Sequence, residues 1–345
     1  MDSASPLAKG LADYVSHRMP EARAVLVSEL QRIHGGASRE TYRARIEYES
    51  EGRKQSRRLI LRRDPPGSLI ETDRATEFHA YRAFAKSPVP VPEALWLEED
   101  PRWLERPFFV MEEVAGCESS PQALLVPPYA AHLERMGEQK WSILGAIARA
   151  DPEALGLCEQ LPPVAPEACA ERELDHWERV IDEDELCPQP IARAAIRWLR
   201  RHPPPPPARI SVVHGDYRTG NFLADESGEI RAILDWEMTH LGDPLEDLAW
   251  SIHRIWCWAR DDRVGGLLPR ERAISIWERA SGLRADALAL RWWEIFSGVK
   301  GLGIWISSAR EFAQGRNHDP VLGFTGWWLT NSQDRAILET LGQLR

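Results

Sequence analysis

One segment of the chain concentrates residue types that suit chemistry at a phosphate or a metal. It reads His-Gly-Asp-Tyr-Arg-Thr-Gly-Asn over residues 214–221, and a further acidic residue, Asp235, follows downstream. Carboxylate and amide oxygens are the hard ligands that Mg²⁺ prefers, and a free carboxylate can accept a proton from a hydroxyl group. Asp216, Asn221 and Asp235 are therefore the first candidates for a Mg²⁺-dependent reaction.

Short strands must bring these side chains together. An apolar run precedes the segment, and two more, 222–224 and 229–234, flank the turn sequence Asp-Glu-Ser-Gly. Because the two ends of a hairpin lie side by side, Asn221 and Asp235 must be neighbours, with Asp216 next to them. An amide and two carboxylates around one small volume suit Mg²⁺ better than zinc or copper.

The order of these residues resembles the catalytic loop of the protein-kinase-like fold, His-x-Asp-x-x-x-x-Asn followed by an Asp after a hairpin. The Gly after the His, together with residues 235–237 and 242–249, resembles the aminoglycoside phosphotransferase branch, which includes choline kinase-like enzymes. The sequences of residues 35–41 and 61–67 are most similar to those of the kinase domains associated with acyl-CoA dehydrogenases.

The resemblance implies a role for each polar residue of the segment. Asp216 would accept the proton of the substrate hydroxyl, and Asn221 and Asp235 would hold Mg²⁺ across the nucleotide phosphates. Arg218 would touch the γ-phosphate. We interpret His214 as a brace for the loop rather than a chemical group.

Upstream residues resemble the phosphate-binding parts of the same family. Small residues that let backbone amides approach phosphate oxygens are Gly35, Gly36, Ala37 and Ser38. Arg62 stands where kinases carry the lysine of the third strand. Arg63 is the alternative, although strand alternation directs it to the opposite face. Glu77, on the predicted helix that follows, matches the family's acidic partner for this cation.

An apolar run further along resembles the hinge between the two lobes of a kinase. The backbone of Glu112 and Val114 would meet the edge of the adenine ring, with Met111 at the back of the pocket. Leu223 and Ile233 would form its floor. A plain apolar strand is the alternative interpretation of this run.

The strand-like and helical patterns of apolar residues along the chain predict an α+β fold with two lobes. Residues 1–114 are strand-rich with one strong helix at 72–86, whereas residues 115–345 show mainly long helical periodicities. We expect a bilobal protein-kinase-like fold, with a nucleotide-binding lobe followed by a catalytic and acceptor-binding lobe.

The sequence from Asp243 to Glu246 predicts the start of a helix with a capping box. His240 lacks metal-ligand spacing, and we interpret it as an ordinary polar residue.

Composition excludes several classes of protein. The formal charge is −10, which argues against a nucleic-acid binder or a polybasic membrane anchor. Five widely spaced cysteines without a Cys-x-x-Cys motif, and an N-terminus without an apolar signal segment, predict a reduced cytoplasmic protein. Ten of the 15 tryptophans stand from Trp236 onward. Most are expected in the core, and a minority in an apolar acceptor pocket.

These features together predict a phosphotransferase that uses ATP, or GTP, with Mg²⁺ and acts on a hydroxyl group of a small molecule. The acidic second lobe would attract an aminoglycoside or amino-alcohol, whereas the resemblance to the dehydrogenase-associated kinases implies a hydroxyacyl compound or its CoA thioester. The alternative is a pseudokinase or nucleotide-binding regulatory module, which the missing lysine favours. Oligomeric state is not predicted.

Overall fold

A five-stranded antiparallel sheet forms the first part of the fold, with the spatial order β1-β2-β3-β5-β4. The computed structural model describes residues 5–33, 39–64, 74–257 and 261–342. The elements of this part are α1 (Pro6–Arg18), β1 (Arg23–Ile33), β2 (Glu40–Ser50), β3 (Arg53–Arg63), α2 (Arg74–Phe84), β4 (Ala94–Glu98) and β5 (Phe108–Glu112).

Alternation along the central strands decides which side chains face each side of the sheet. In β2 the buried Tyr42, Ala44 and Ile46 alternate with more exposed residues, as expected for a strand with one covered face. The helix α1 covers that face with its buried Leu11 and Tyr14, and the sequence interpretation did not include this helix. The opposite face is left for α2 and for a cleft.

The second part of the fold is mainly helical. Its elements are β6 (Cys117–Glu118), α3 (Pro121–Leu124), α4 (Leu133–Arg149), α5 (Cys169–Asp184), α6 (Pro190–Arg201), β7 (Ser211–Val213), β8 (Phe222–Asp225), β9 (Ile230–Ile233), β10 (His240–Gly242), α7 (Pro244–Ile252), β11 (Arg263–Val264), β12 (Leu268–Pro269), α8 (Arg270–Ser281), α9 (Ala287–Ala313) and α10 (Pro320–Thr340). The strands form three small sheets: β6-β8-β9, β7-β10 and β11-β12.

The helical core surrounds α7, in which every residue is buried. The 27-residue α9 packs along it and carries Trp292, Trp293 and Phe296 into the interior. The helix α7 ends at Ile252, and a 3₁₀ turn follows over Arg254–Trp256.

One continuous apolar core joins the sheet part to the helical part. Phe84 of α2 stacks on Trp236 with ring centroids 4.5 Å apart, and both belong to the same buried cluster as the α9 aromatics. The large sheet ends at Glu112 and the next sheet begins at Cys117. The division into functional lobes at residue 114 stays a prediction. None of the described helices has the length and apolar content that crossing a bilayer requires.

Candidate active site

The loop between β7 and β8 places Asp216 at the centre of a hydrogen-bond cluster. Asn221 Nδ2 donates to Asp216 Oδ2 at 2.6 Å and to its backbone oxygen at 2.9 Å. Arg218 Nε lies 3.1 Å and 3.2 Å from the two carboxylate oxygens. The loop turns at Gly215, where φ is +87° and a Cβ atom would meet the Met238 carbonyl oxygen at 2.4 Å. Only glycine fits that turn.

Buried side chains of α7 and α9 hold this loop from behind. The backbone N–H groups of His214 and Gly215 donate to Asp247 at 2.6 Å and 3.0 Å, and Lys300 donates to the Gly215 carbonyl at 2.6 Å. The His214 Nε2 atom lies 2.9 Å from the Leu234 carbonyl, and burial lowers the pKa of this imidazole. His214 therefore links the loop to the end of the β8–β9 hairpin, as a bracing role requires.

The hairpin brings Asp235 to the same place. The Leu234 N–H donates to the Asn221 carbonyl at 2.9 Å, so the two ends of the hairpin are neighbours, as predicted. Asp235 has a left-handed backbone (φ +68°), and its N–H donates to the Tyr81 hydroxyl at 3.0 Å. Burial acts to raise the pKa of Asp235, but the Arg62 guanidinium outweighs it and holds the pKa below its usual value.

Arg62 is the cation that faces the cleft. Its Nη1 atom lies 2.6 Å from Glu77 Oε1, and its Nη2 atom lies 3.0 Å from Asp235 Oδ1. Arg63 points to the other face of β3, where it pairs with Glu40 at 2.6 Å. Glu77 is fully buried, and burial raises its pKa against the opposing charge of Arg62. Arg39 also reaches Glu77, at 3.1 Å.

A third carboxylate at this site was missed from the sequence. Glu237, two residues after Asp235, lies 3.8 Å from Arg62 and 3.7 Å from Arg39. Burial and the neighbouring Asp235 charge raise the pKa of Glu237 to about 8. The signal was its place two residues after Asp235 in Asp-Trp-Glu, where the backbone is left-handed at Asp235 and a 3₁₀ turn follows over Trp236–Met238.

Part of this cluster lines a cleft of about 740 Å³, which lies in the range of small-molecule sites. Asp216 is not on the wall of the cleft itself, but it is hydrogen-bonded to Asn221, which is. The predicted hinge and site residues on its wall are Met111, Glu112, Val114, Leu223, Arg62, Arg218, Asn221 and Asp235. Gly35, Gly36, Ala37 and Ser38 lie outside the described residues.

The prediction that Ile233 lines the floor is wrong. Ile233 pairs with Phe222 and is fully buried, whereas Leu223 pairs with Ala232 on the opposite face of the hairpin. Residues directly opposite in an antiparallel pair share a face, so Leu223 and Ile233 cannot both face the cleft. Leu234 takes the place that was assigned to Ile233.

The side-chain oxygen atoms at the two ends of the β8–β9 hairpin are suitable ligands for a Mg²⁺ ion. Asn221 uses its amide nitrogen on Asp216, which leaves its side-chain oxygen as an acceptor, and Asp235 uses one oxygen on Arg62. An all-oxygen set with few protein ligands is what Mg²⁺ takes when substrate phosphates complete its shell.

Behind the loop, a buried charge cluster replaces the predicted capping box. Asp243 does cap α7 through the Leu245 N–H at 2.8 Å, but Glu246 turns away and pairs with Lys300 at 2.9 Å and with His240 at 3.0 Å. Burial acts to lower the pKa of His240, but Glu173 and Glu246 outweigh it and raise the pKa to about 9. His240 is therefore a charged structural residue, not the ordinary polar one that the sequence suggested.

The family follows from a comparison of the sequence with family models. The model described as the phosphotransferase enzyme family matches residues 29–283, most of the chain. The chain belongs to this phosphotransferase family. The resemblance stated from the sequence motifs is thereby confirmed, together with the bilobal fold that it implied.

Among curated relatives of this phosphotransferase, acyl-CoA dehydrogenase family member 10 of Mus musculus is 31% identical over 234 residues, 65% of this chain and 20% of that protein. Family member 11 of Gallus gallus is 29% identical over 213 residues, 60% of this chain and 26% of that protein. The chain thus spans only a fifth to two fifths of the length of the relatives it matches.

Solved structures share the fold of this phosphotransferase. A protein of Ralstonia eutropha JMP134 assigned provisionally to the aminoglycoside phosphotransferases superposes with a TM-score of 0.75, at 20% identity and 98% coverage of both chains. A choline/ethanolamine kinase family protein of Mesorhizobium loti gives 0.59 at 18% identity, covering 92% of this chain and 90% of its own. Other structures of this fold hold ADP with hygromycin B, or GDP. Identities this low show the fold alone.

Proposed function

We propose that this phosphotransferase transfers the γ-phosphoryl group of ATP to a hydroxyl group of a small molecule, with Mg²⁺ as the metal. The observation that carries the proposal is that Asn221 and Asp235 line one cleft with Arg62, which pairs with Glu77, while Asp216 is hydrogen-bonded to Asn221 beside that cleft. Phosphoryl transfer depends mainly on positioning and charge neutralisation, and these are the groups for both tasks.

Each side chain has a defined task in this scheme. The acceptor oxygen attacks the γ-phosphorus, the bond to the β-phosphate oxygen breaks, ADP leaves, and the hydroxyl proton passes to the Asp216 carboxylate. Arg62 binds the α- and β-phosphates, and Arg218 stands beside Asp216, where the γ-phosphate would arrive. Asn221 and Asp235 would hold Mg²⁺, which neutralises developing charge on the phosphates when bound.

The proposed acceptor is a hydroxyacyl compound, free or as its CoA thioester. The Arg218 cation lies beside Asp216, with its Nε atom 3.1 Å from Asp216 Oδ2, and Arg218 also lines the cleft. A cation at this place suits an anionic acceptor better than a polycationic aminoglycoside. The acyl-CoA dehydrogenase names of the curated relatives support the same class.

A panel assay tests the proposal. ADP or GDP release is measured with ATP or GTP and Mg²⁺ against hydroxyacyl-CoAs, free hydroxy acids, choline and aminoglycosides. The proposal expects ATP turnover that depends on a hydroxyacyl acceptor. Nucleotide binding without transfer to any acceptor would indicate a regulatory module instead, the alternative that Arg62 in place of lysine favours.

A further inference from the structure

Helix α7 places one tryptophan against the proposed catalytic base. Trp250 is 1% exposed, and its indole Nε1–H donates to Asp216 Oδ1 at 2.7 Å. A hydrogen bond from a neutral donor to a carboxylate is charge-assisted and about twice as strong as one between neutral groups. The contact joins a buried helix to the side chain on which the proposed reaction depends.

The other partners of this carboxylate have further tasks in the proposed reaction. Asn221 donates to Oδ2 and is also a candidate Mg²⁺ ligand. Arg218 donates through Nε to both carboxylate oxygens, and its guanidinium is also proposed to contact the γ-phosphate. Both can shift as nucleotide and metal bind. Trp250 has no such second task, so its N–H is the fixed reference for the orientation of Asp216.

Trp250 is itself held on several sides. Its ring meets Trp256 edge to face at 5.1 Å, and the Lys300 ammonium lies 5.2 Å from its centroid. Lys300 also binds the Gly215 carbonyl, one residue before Asp216. The backbone of the loop and the side chain of the base are thus attached to one rigid unit.

We propose that Trp250 is a positioning residue for the phosphoryl transfer proposed above, on which this inference rests. Its N–H occupies Oδ1 and stops rotation of the carboxylate, so that Oδ2, on the Asn221 side, receives the hydroxyl proton. Without the donor, the carboxylate turns toward Arg218 and is less often aligned with the acceptor.

Removing only the N–H tests the proposal. Trp250 is replaced by benzothienylalanine, whose sulfur takes the place of the N–H in a ring of nearly the same size, and by Phe in W250F. We expect kcat to fall by about 10- to 100-fold, as for loss of one hydrogen bond to a charged group, with KM for ATP within about twofold.

The matched control is Trp292→Phe. Trp292 is also buried, and its N–H donates to the Leu199 carbonyl at 3.0 Å, away from the cleft. The control should keep the kcat of the wild type and its KM for ATP. An unchanged kcat in the benzothienylalanine protein, or equal losses of kcat in W250F and W292F, would overturn the positioning role.

A second readout separates this inference from the proposed function. In ¹⁵N-labelled protein, the indole signal that W250F removes belongs to Trp250, and it should shift in Asp216→Ala whether or not an acceptor is known. An unmoved signal would overturn the contact. A shifted signal in a chain that transfers no phosphoryl group to any acceptor would overturn the proposed function, and the positioning role with it, while the contact stands.

Discussion

Arginine at position 62 contacts two carboxylates at once. Its planar guanidinium meets Glu77 through one terminal nitrogen and Asp235 through the other. A lysine ammonium is a compact point charge on a flexible stem and does not span two such partners in one geometry. Arginine at this position therefore ties the cation to both the α2 helix and the candidate metal ligand.

We expect Arg62→Lys to weaken binding of ATP in the presence of Mg²⁺ by about tenfold, in line with the loss of one hydrogen bond to a charged group. Calorimetric titration measures the change. The control is Arg63→Lys, because Arg63 lies on the other face of β3 with Glu40 and should leave the affinity as in the wild type. Equal effects of the two variants would contradict the assignment of Arg62.

A separate variant addresses the metal. In Asp235→Asn, ATP should still bind without Mg²⁺, but the tightening that Mg²⁺ produces should fall by about tenfold, or ~1.4 kcal/mol. Asp225→Asn is the matched control, since Asp225 caps the turn between β8 and β9 through the Ser227 N–H at 3.0 Å. Unchanged Mg²⁺ dependence in Asp235→Asn would remove Asp235 from the metal site.

At the scale of residues, spacing alone predicted Asp216, Asn221 and Asp235 because a hairpin joins its ends. Spacing did not predict the position of Ile233 correctly, because the register of the β8–β9 pairing decides which face of the hairpin its side chain lies on. It also failed for Trp250, because a contact between α7 and the loop depends on tertiary packing that no local pattern encodes.

Among the elements, α7 connects the catalytic loop to the helical core. Glu246 and Asp247 would be costly in so buried a helix without partners, and each has one in the loop or behind it. In the sequence, the carboxylates of Glu246 and Asp247 within an apolar helical run are the signal that α7 makes such buried polar contacts. The helix α8 was not predicted from the sequence, although Ala273, Ile276 and Trp277 follow helical spacing. Its apolar stripe is short and lies among charged residues, so its helical periodicity is weak.

The charge cluster behind α7 should make stability depend on pH. The pKa of His240 is about 9 in the folded chain, above its ordinary value of about 6.5. Its contribution to stability is therefore complete below about pH 6.5 and is lost as the pH rises through about 9. We expect His240→Gln to destabilise the fold most at pH 6 and progressively less toward pH 9, as measured by urea unfolding.

An exposed histidine provides the control for that series. His318→Gln should change the free energy of unfolding little at any of these pH values, because its side chain lies at the surface. A destabilisation by His240→Gln that stays constant from pH 6 to pH 9 would show that the charged form of His240 does not stabilise the fold.

Across the whole molecule, the sheet part and the helical part carry different net charge. The first 113 residues have a net charge of −1 and the remainder −9. Neither part has an excess of cations that would attract phosphate, so the proposed function assigns phosphate binding to the individual residues Arg62 and Arg218. The bilobal fold was predictable from the order of the motifs along the chain, whereas the shared core between the parts, with Phe84 on Trp236, was not.

In the proposed function, Asp216 is the base of a phosphoryl transfer to a hydroxyl group. The direct measurement is the single-turnover rate of γ-phosphate transfer from ATP with Mg²⁺ to an acceptor found in the panel, for wild type and Asp216→Ala. We expect a rate about 10²–10⁴-fold lower in the variant, with ATP affinity retained. Transfer at the wild-type rate in Asp216→Ala would contradict the claim.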